Sequence, residues 1–513
     1  ICLIVVKAMA ESPWSVFMVV MTIPIALFMG VWMKKIRPGR VGEVSLIGAV
    51  MLIMAIIGGG QVASHPTLGP LFTLTGTQVT FGLIGYGALA SILPVWLMLC
   101  PRDYLSTFLK IGTILLLAVC VLLAAPLLKM PATTQFIDGG GPVWSGDLFP
   151  FLFITIACGA CSGFHSLIAS GTTPKMISNE LDARFIGYGG MLMESFVAIM
   201  ALCAASILEP GIYFAMNAPA AVLGTTLASA TTVINTWGFH LTPEMITQLT
   251  REVGEQTLLS RTGGAPTLAV GMAQLLSIFG GTAWMAFWYH FAILFEALFI
   301  LTAVDTGTRA CRFMVQDMFG VIFKPKTPSA SWISTILATG LTVSAWGYIL
   351  YQGVVDPFGG INSLWPLFGI SNQMLAGCAM ILATVILFKM KLEKLAWVTL
   401  IPATWLVIST MTASFQKVFS PNVKIGFLAH GEKFQEALDK GVVLAPAKTL
   451  EQMARVVAND RLDAALALFF MGVVFTMLIF GVRSCRLAWR NPAITTREDD
   501  PPSGACNPVT RCC

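Results

Sequence analysis

Two acids sit where acids are costly. Glu194 lies in YGGMLMESFVAIM and Glu296 in FWYHFAILFEALFI, both inside apolar runs. A carboxylate at bilayer depth costs about 2.5–3.5 kcal/mol even on lenient insertion scales, so it is kept with a partner in the bundle interior or with a bound proton. That placement suits proton loading and release, and an interhelical hydrogen bond is the structural alternative. Two histidines join them: His165, within FPFLFITIACGACSGFHSLIASGTTPK (149–175), and His290, six positions before Glu296. A neutral imidazole is cheap to bury and titrates near physiological pH, which suits a proton relay or a hydrogen-bonded core position. Six residues turn through about 600° on an ideal helix, so His290 and Glu296 point to different faces and need not be a pair.

The 149–175 stretch is interrupted by Gly159, Ser162, Gly163 and His165, then by Ser170 to Pro174. Small and polar residues in lipid let helices approach closely, or permit a break where backbone lines a cavity. A break sets free N–H and C=O groups near the midplane, where transporters hold anionic substrates and coupling ions. Gly159, Ser162 and Gly163 are therefore candidate substrate contacts. Ser371, Asn372 and Gln373 are a second group, at the end of NSLWPLFGISNQ (362–373). Amides bind small polar solutes without charge, and they also cap helices. Asp305 and Arg309, in DTGTR, are read as closing a span at the cytoplasmic face, either as a gate or as an interfacial salt bridge. Cys158 and Cys161 form a CxxC with no second pair at zinc-binding spacing, so small packing residues are the expected role. No metal or other cofactor is expected.

These residues need an apolar frame, and the composition supplies one. Of 513 residues, 56% are hydrophobic and 11% charged, against roughly 25% charged in soluble domains. The net charge of +5 is too small for a nucleic-acid binder that works by phosphate neutralisation. No phosphate-loop motif is present, so any work comes from an ion or substrate gradient. Apolar runs near 15–33, 44–63, 79–99, 111–128, 149–170, 188–208, 332–351, 365–388, 395–412 and 463–483 are long enough to cross a bilayer. The loops between them alternate in Lys and Arg content, which requires an odd number of crossings between about 209 and 305. Three crossings there give about 13 transmembrane helices in an all-α polytopic membrane protein, with a helix broken near 159–165 and a cytoplasmic C-terminus. One crossing plus a re-entrant element is the other solution. Residues 1–490 form the membrane domain, 413–462 an outer loop with short surface helices, and 491–513 a polar tail expected to be disordered.

Seven strings resemble the carbon starvation protein A (CstA) family and its pyruvate-transporter relative BtsT. They are RPGRVGEVSLIG (37–48), LPVWLMLCPRDYLSTFLKIGT (93–113), the 149–175 stretch, FIGYGGMLMESFVAIMAL (185–202), GGAPTLAVGMA (263–273), FWYHFAILFEALFILTAVDTGTR (287–309) and GGINSLWPLFGISNQMLAG (359–377). The resemblance implies a bacterial inner-membrane secondary transporter, similar to the amino-acid/polyamine carrier superfamily, that imports pyruvate or short peptides with protons when carbon is scarce. Family members carry further spans ahead of the point where this chain starts, so N-terminal spans are expected to be missing. The partners implied are the lipid bilayer, a small-molecule substrate and protons. In this reading Glu296, Glu194, His165 and His290 handle protons. A nutrient sensor signalling through a partner and a metal-dependent membrane enzyme are the competing classes. The first needs an output domain that the short inner loops lack, and the second a ligand spacing that is absent.

Overall fold

A computed structural model describes residues 2–490, apart from 11, 38–39, 95–96, 98, 160, 172, 176, 178, 324–331 and 359. The expected tail at 491–513 lies outside the described residues. No strand occurs among those described, and nine helices are long and apolar enough to cross a membrane. The principal helices are α1 (Pro13–Val31), α2 (Val41–Ser64), α3 (Gly76–Ile92), α4 (Leu99–Ala124), α5 (Leu148–Ile156), α6 (Gly163–Gly171), α7 (Asp182–Ser206), α8 (Ala265–Leu276), α9 (Met285–Phe323), α10 (Trp332–Val355), α11 (Ile361–Lys389), α12 (Trp397–Phe419), α13 (Phe427–Asp439) and α14 (Leu450–Arg490). The chain divides into two compact units, one from the described parts of Ile1–Ala132 and Ile177–Val355, the other from those of Thr133–Met176 and Asp356–Pro508.

In the first unit α9 is the axis. Its 39 residues run about 58 Å at 1.5 Å per residue, almost twice the hydrocarbon thickness, and it packs on α1, α3, α4, α8 and α10. A capping box between Thr75 and Gln78 starts α3. Gly87 lets α3 close on α10, because a Cβ there would come within 2.7 Å of the Trp346 indole. Between 209 and 285 the helices are short: Pro210–Asn217, Ala220–Leu223, Leu227–Thr236, the amphipathic Pro243–Val253, and α8 with 12 residues. The chain turns at Gly280 and Gly281, both at positive φ, and enters α9 through a short 3-10 turn. Where three crossings are expected, α9 is therefore the one described helix long enough to make one.

The second unit holds the expected break. α5 ends at Ile156, one 3-10 turn spans Ala157–Gly159, and helix resumes at Gly163. Phe151 and Ile154 of α5 are buried against Ile370 and Met374 of α11, Ala413 of α12 and Val474 of α14. α13 lies on α14 through Phe434, Ala437, Met453, Val456 and Val457.

Helix boundaries cut across two of the expected segments. Within the expected loop at 413–462, α12 continues to Phe419, α13 lies inside, and α14 begins at Leu450. The Asp305–Arg309 segment lies inside α9, which runs on to Phe323, with Asp305 and Arg309 buried. Arg102, Asp103 and Lys110, which follow the 79–99 run, are likewise inside α4. Arg102 and Asp305 pair with each other, and backbone carbonyls receive Arg309, in place of the water that would have solvated them.

Candidate functional site

The broken helix is braced by α11. Breaking a helix frees carbonyls at one end and N–H groups at the other, and lipid satisfies neither. The Phe164 N–H donates to Asn372 Oδ1 at 2.9 Å. The Gln373 amide donates to the Phe153 carbonyl, and Trp365 Nε1 to the Thr155 carbonyl at 3.2 Å. Ser162 Oγ accepts from the His165 N–H at 3.3 Å, capping α6 from its own chain. Gly163 is buried against α11, where a Cβ would collide with the Asn372 carbonyl oxygen. Two groups about 200 positions apart in sequence are thus brought together: Ser162 and Gly163 with Asn372 and Gln373. Gly159 lies exposed in the 3-10 turn, and Ser371 donates to its own helix at the Phe368 carbonyl. Asn372 Nδ2 is a buried donor with no hydrogen-bond partner among the described residues.

In the first unit α9 carries ionisable groups at three levels. At the first, His290 is fully buried, stacked on Trp14 with ring centroids 3.9 Å apart. Its Nδ1 lies 2.9 Å from the Ala286 carbonyl, and its Nε2 3.5 Å from Glu255 Oε1. The same carboxylate accepts from Ser12 Oγ at 3.1 Å and pairs with Arg261 at 3.3 Å. Burial pushes the Glu255 carboxyl up, but the adjoining His290 ring, the Arg261 charge and the Ser12 hydroxyl outweigh it and hold it below its ordinary value. The stability it contributes is therefore full above about pH 4.3, the unfolded value, and is lost as pH falls through the lower folded value. Glu255→Gln is expected to lower unfolding stability at pH 7 and to flatten its fall below pH 4.3, measured by thermal unfolding in detergent across pH.

Six residues on, Glu296 is half-buried and makes no hydrogen bond or ion pair among the described residues. At the third level Asp305 accepts from the Tyr86 hydroxyl at 2.5 Å and pairs with Arg102 at 3.4 Å. Arg102 also reaches Thr22 Oγ1 at 3.3 Å and lies over the Tyr86 ring at 4.6 Å. Arg309 donates to the carbonyls of Ala90 and Leu93, and Arg312 to that of Ser91. The two arginines thereby cap the C-terminus of α3, where orphan carbonyls and the negative end of the helix dipole favour cations.

Removing one member of a buried ion pair strands the other, at a cost of about 3–5 kcal/mol, while replacing both by apolar residues is often neutral. Asp305→Leu is thus expected to destabilise by about that amount, and Arg102→Met in the same chain to recover most of it, read as unfolding midpoints in detergent.

Not every candidate joins these groups. His165 is exposed on α6 in the second unit, and Glu194 is half-buried on α7 in the first. Reading the sequence also missed Glu255, Arg261, Arg102 and Tyr86. The available signal was that Glu255 and Arg261 lie between Gly254 and Gly263-Gly264, and that Arg102 closely follows an apolar run.

A model of the family described as Carbon starvation protein CstA matches residues 1–413. The chain is 60% identical over 505 residues to the peptide transporter CstA of Escherichia coli strain K12, covering 97% of this chain and 72% of that protein. It is 53% identical over 526 residues to the pyruvate/proton symporter BtsT of the same organism, covering 98% and 73%. To the peptide transporter CstA of Bacillus subtilis strain 168 it is 35% identical over 502 residues, covering 97% and 75%. No solved structure matches.

Proposed function

The chain belongs to the carbon starvation protein CstA family, and from that premise we propose that it is an inner-membrane secondary transporter importing pyruvate or short peptides by proton symport. Its relatives are named as a peptide transporter and a pyruvate/proton symporter, and both substrates carry a carboxylate. The observation that carries the reading is the break between α5 and α6. Asn372 binds the freed N–H of Phe164 through Oδ1 and keeps Nδ2 as a buried donor without a partner among the described residues. Such a donor beside the N-terminal end of a half-helix suits a carboxylate. Ser162, Gly163, Ser371 and Gln373 shape that site, and Gly159 lies at its exposed turn.

The proton gradient is the energy source, and Glu296 is the leading carrier, with Glu194, His165 and His290 as further proton-handling groups. Asp305 and Arg309 hold α9 against α3 and α4, and their separation from those helices would open the gate. Lys34, Lys35, Arg37 and Arg40 after α1, Lys389, Lys391 and Lys394 after α11, and Arg483, Arg486 and Arg490 at the end of α14 support a cytoplasmic side at those ends and a cytoplasmic C-terminus. This orientation closes with α8 as a re-entrant element and α9 as the crossing between 209 and 323.

The test is uptake of radiolabelled pyruvate into proteoliposomes under an inward-acid pH gradient. Uptake that collapses with a protonophore is the expected result. No pyruvate uptake with protonophore-sensitive uptake of labelled di- or tripeptides assigns the peptide branch. Silence with both overturns the proposal.

A further inference from the structure

The second unit buries a group of charges that the transport reading leaves unused. Asp460 and Asp463 are one turn apart on α14, hence on one face, and both are buried. His430 of α13 lies 2.7 Å from Asp460 Oδ2 through Nδ1. Gly431, beside it, lets α13 approach so closely that an added Cβ would sit 3.3 Å from Asp460 Cβ. Asp356, also buried, follows α10, and its Oδ1 accepts from the Phe358 N–H at 3.0 Å. On α12, Lys417 is buried with Nζ over the rings of Trp144 and Phe151 at 5.4 Å each and Phe427 at 5.7 Å, and it makes no hydrogen bond among the described residues. Asp463 Oδ2 is buried without a hydrogen-bond partner among the described residues.

Among the described residues the Asp463 carboxylate is left unsatisfied. His430 bonds Asp460, and α12 brings Lys417 onto α14, with neighbouring Val418 and Ala464 in one core, yet no hydrogen bond or ion pair among the described residues joins Lys417 to either acid. The other charges of α13, namely Glu432, Lys433, Glu436 and Asp439, are exposed, and α11, packed on the same helix, bears only Lys389 at its far end. An uncompensated buried carboxylate is unfavourable, and a bound cation removes the excess. Among the described residues these side chains do not converge at metal-ligand spacing, which leaves the proton as the cation that fits.

We propose that this cluster is a proton-binding site, with Asp463 as the carboxyl that takes up and releases the proton and Lys417 as its counter-charge. That the site serves symport rests on the reading above; that it binds a proton does not. The proton moves between solvent and a carboxylate oxygen, so no other reactant is needed.

Infrared difference spectra of the purified protein between alkaline and acid pH test it. The expected result is a protonated-carboxyl band that Asp463→Asn removes and Glu296→Gln leaves in place. Lys417→Gln is expected to move its midpoint up by about one pH unit or more, since removing a nearby cation favours the neutral acid; this variant keeps the test open if Asp463→Asn fails to insert. A band unchanged by Asp463→Asn, or a midpoint unmoved in Lys417→Gln, overturns the site. If the protein imports neither pyruvate nor peptide while the band behaves as described, the transport reading falls and the proton site stands. If proton-driven uptake by Asp463→Asn equals that of the parent protein, Asp463 is not the coupling carboxyl.

Discussion

Glu296→Gln is expected to reduce proton-driven accumulation of substrate to background while leaving the protein inserted and able to exchange substrate down its gradient. Glu296 is half-buried on α9 without a hydrogen bond or ion pair among the described residues. Neither neighbouring level of that helix supplies one, since His290 is held by Glu255 and Asp305 by Arg102 and Tyr86. Ionised without a partner, the carboxylate costs about 2.5–3.5 kcal/mol at membrane depth, so a bound proton is its stable condition until transport opens a route for release. Glutamine keeps the volume and the hydrogen-bonding capacity but carries no transferable proton. The two assays separate the roles: labelled-substrate exchange without a gradient reports the binding site, and uphill uptake reports the coupling. Retained uphill uptake in Glu296→Gln would remove this residue from the mechanism, and loss of exchange as well would make its role structural.

How far the sequence could be read depended on whether a feature was local. The helical membrane frame and the break near 159–165 were legible because each is written in adjacent residues: apolar runs of spanning length, then a dense Gly and Ser interruption. The expected separation of His290 from Glu296 also follows from helical geometry alone, and His290 does face Glu255 instead. Pairings between distant residues were not legible. Arg102 and Asp305 lie 203 positions apart, and each follows an apolar run, so the local pattern places both at water-exposed span ends. Arg309, one turn beyond Asp305, is the same case. Lys and Arg within a helix end count toward loop charge until a carbonyl, a carboxylate or an aromatic face is known to receive them. Asn372 and Gln373 illustrate the intermediate case: amides beside a membrane helix were suspected of binding something, and the first partners they bind are backbone groups of the broken helix.

Gly163→Leu is expected to bring transport to background in any assay, exchange included, with the protein still present in the membrane. A Cβ at Gly163 would collide with the Asn372 carbonyl oxygen and reach within 2.5 Å of the Ala376 backbone nitrogen and 2.6 Å of Leu375 Cβ. Two of these are main-chain atoms of α11, a 29-residue helix packed on both α12 and α14, so rotation of a side chain cannot relieve the clash. Overpacking typically costs about 1–3 kcal/mol when neighbours can shift. Here α6 must withdraw instead, which lengthens the Phe164 N–H bond to Asn372 and leaves a donor unsatisfied in the bundle. Gly163→Ala should already impair uptake, because the first added carbon makes the collision. Gly159→Ala is the control: its Cβ would meet only the flexible Ile156 side chain, at 3.2 Å, so near-parental transport is expected. Equal loss at both glycines would point to backbone freedom throughout the turn, whereas unimpaired transport in Gly163→Leu would show that transport does not need α6 and α11 in contact.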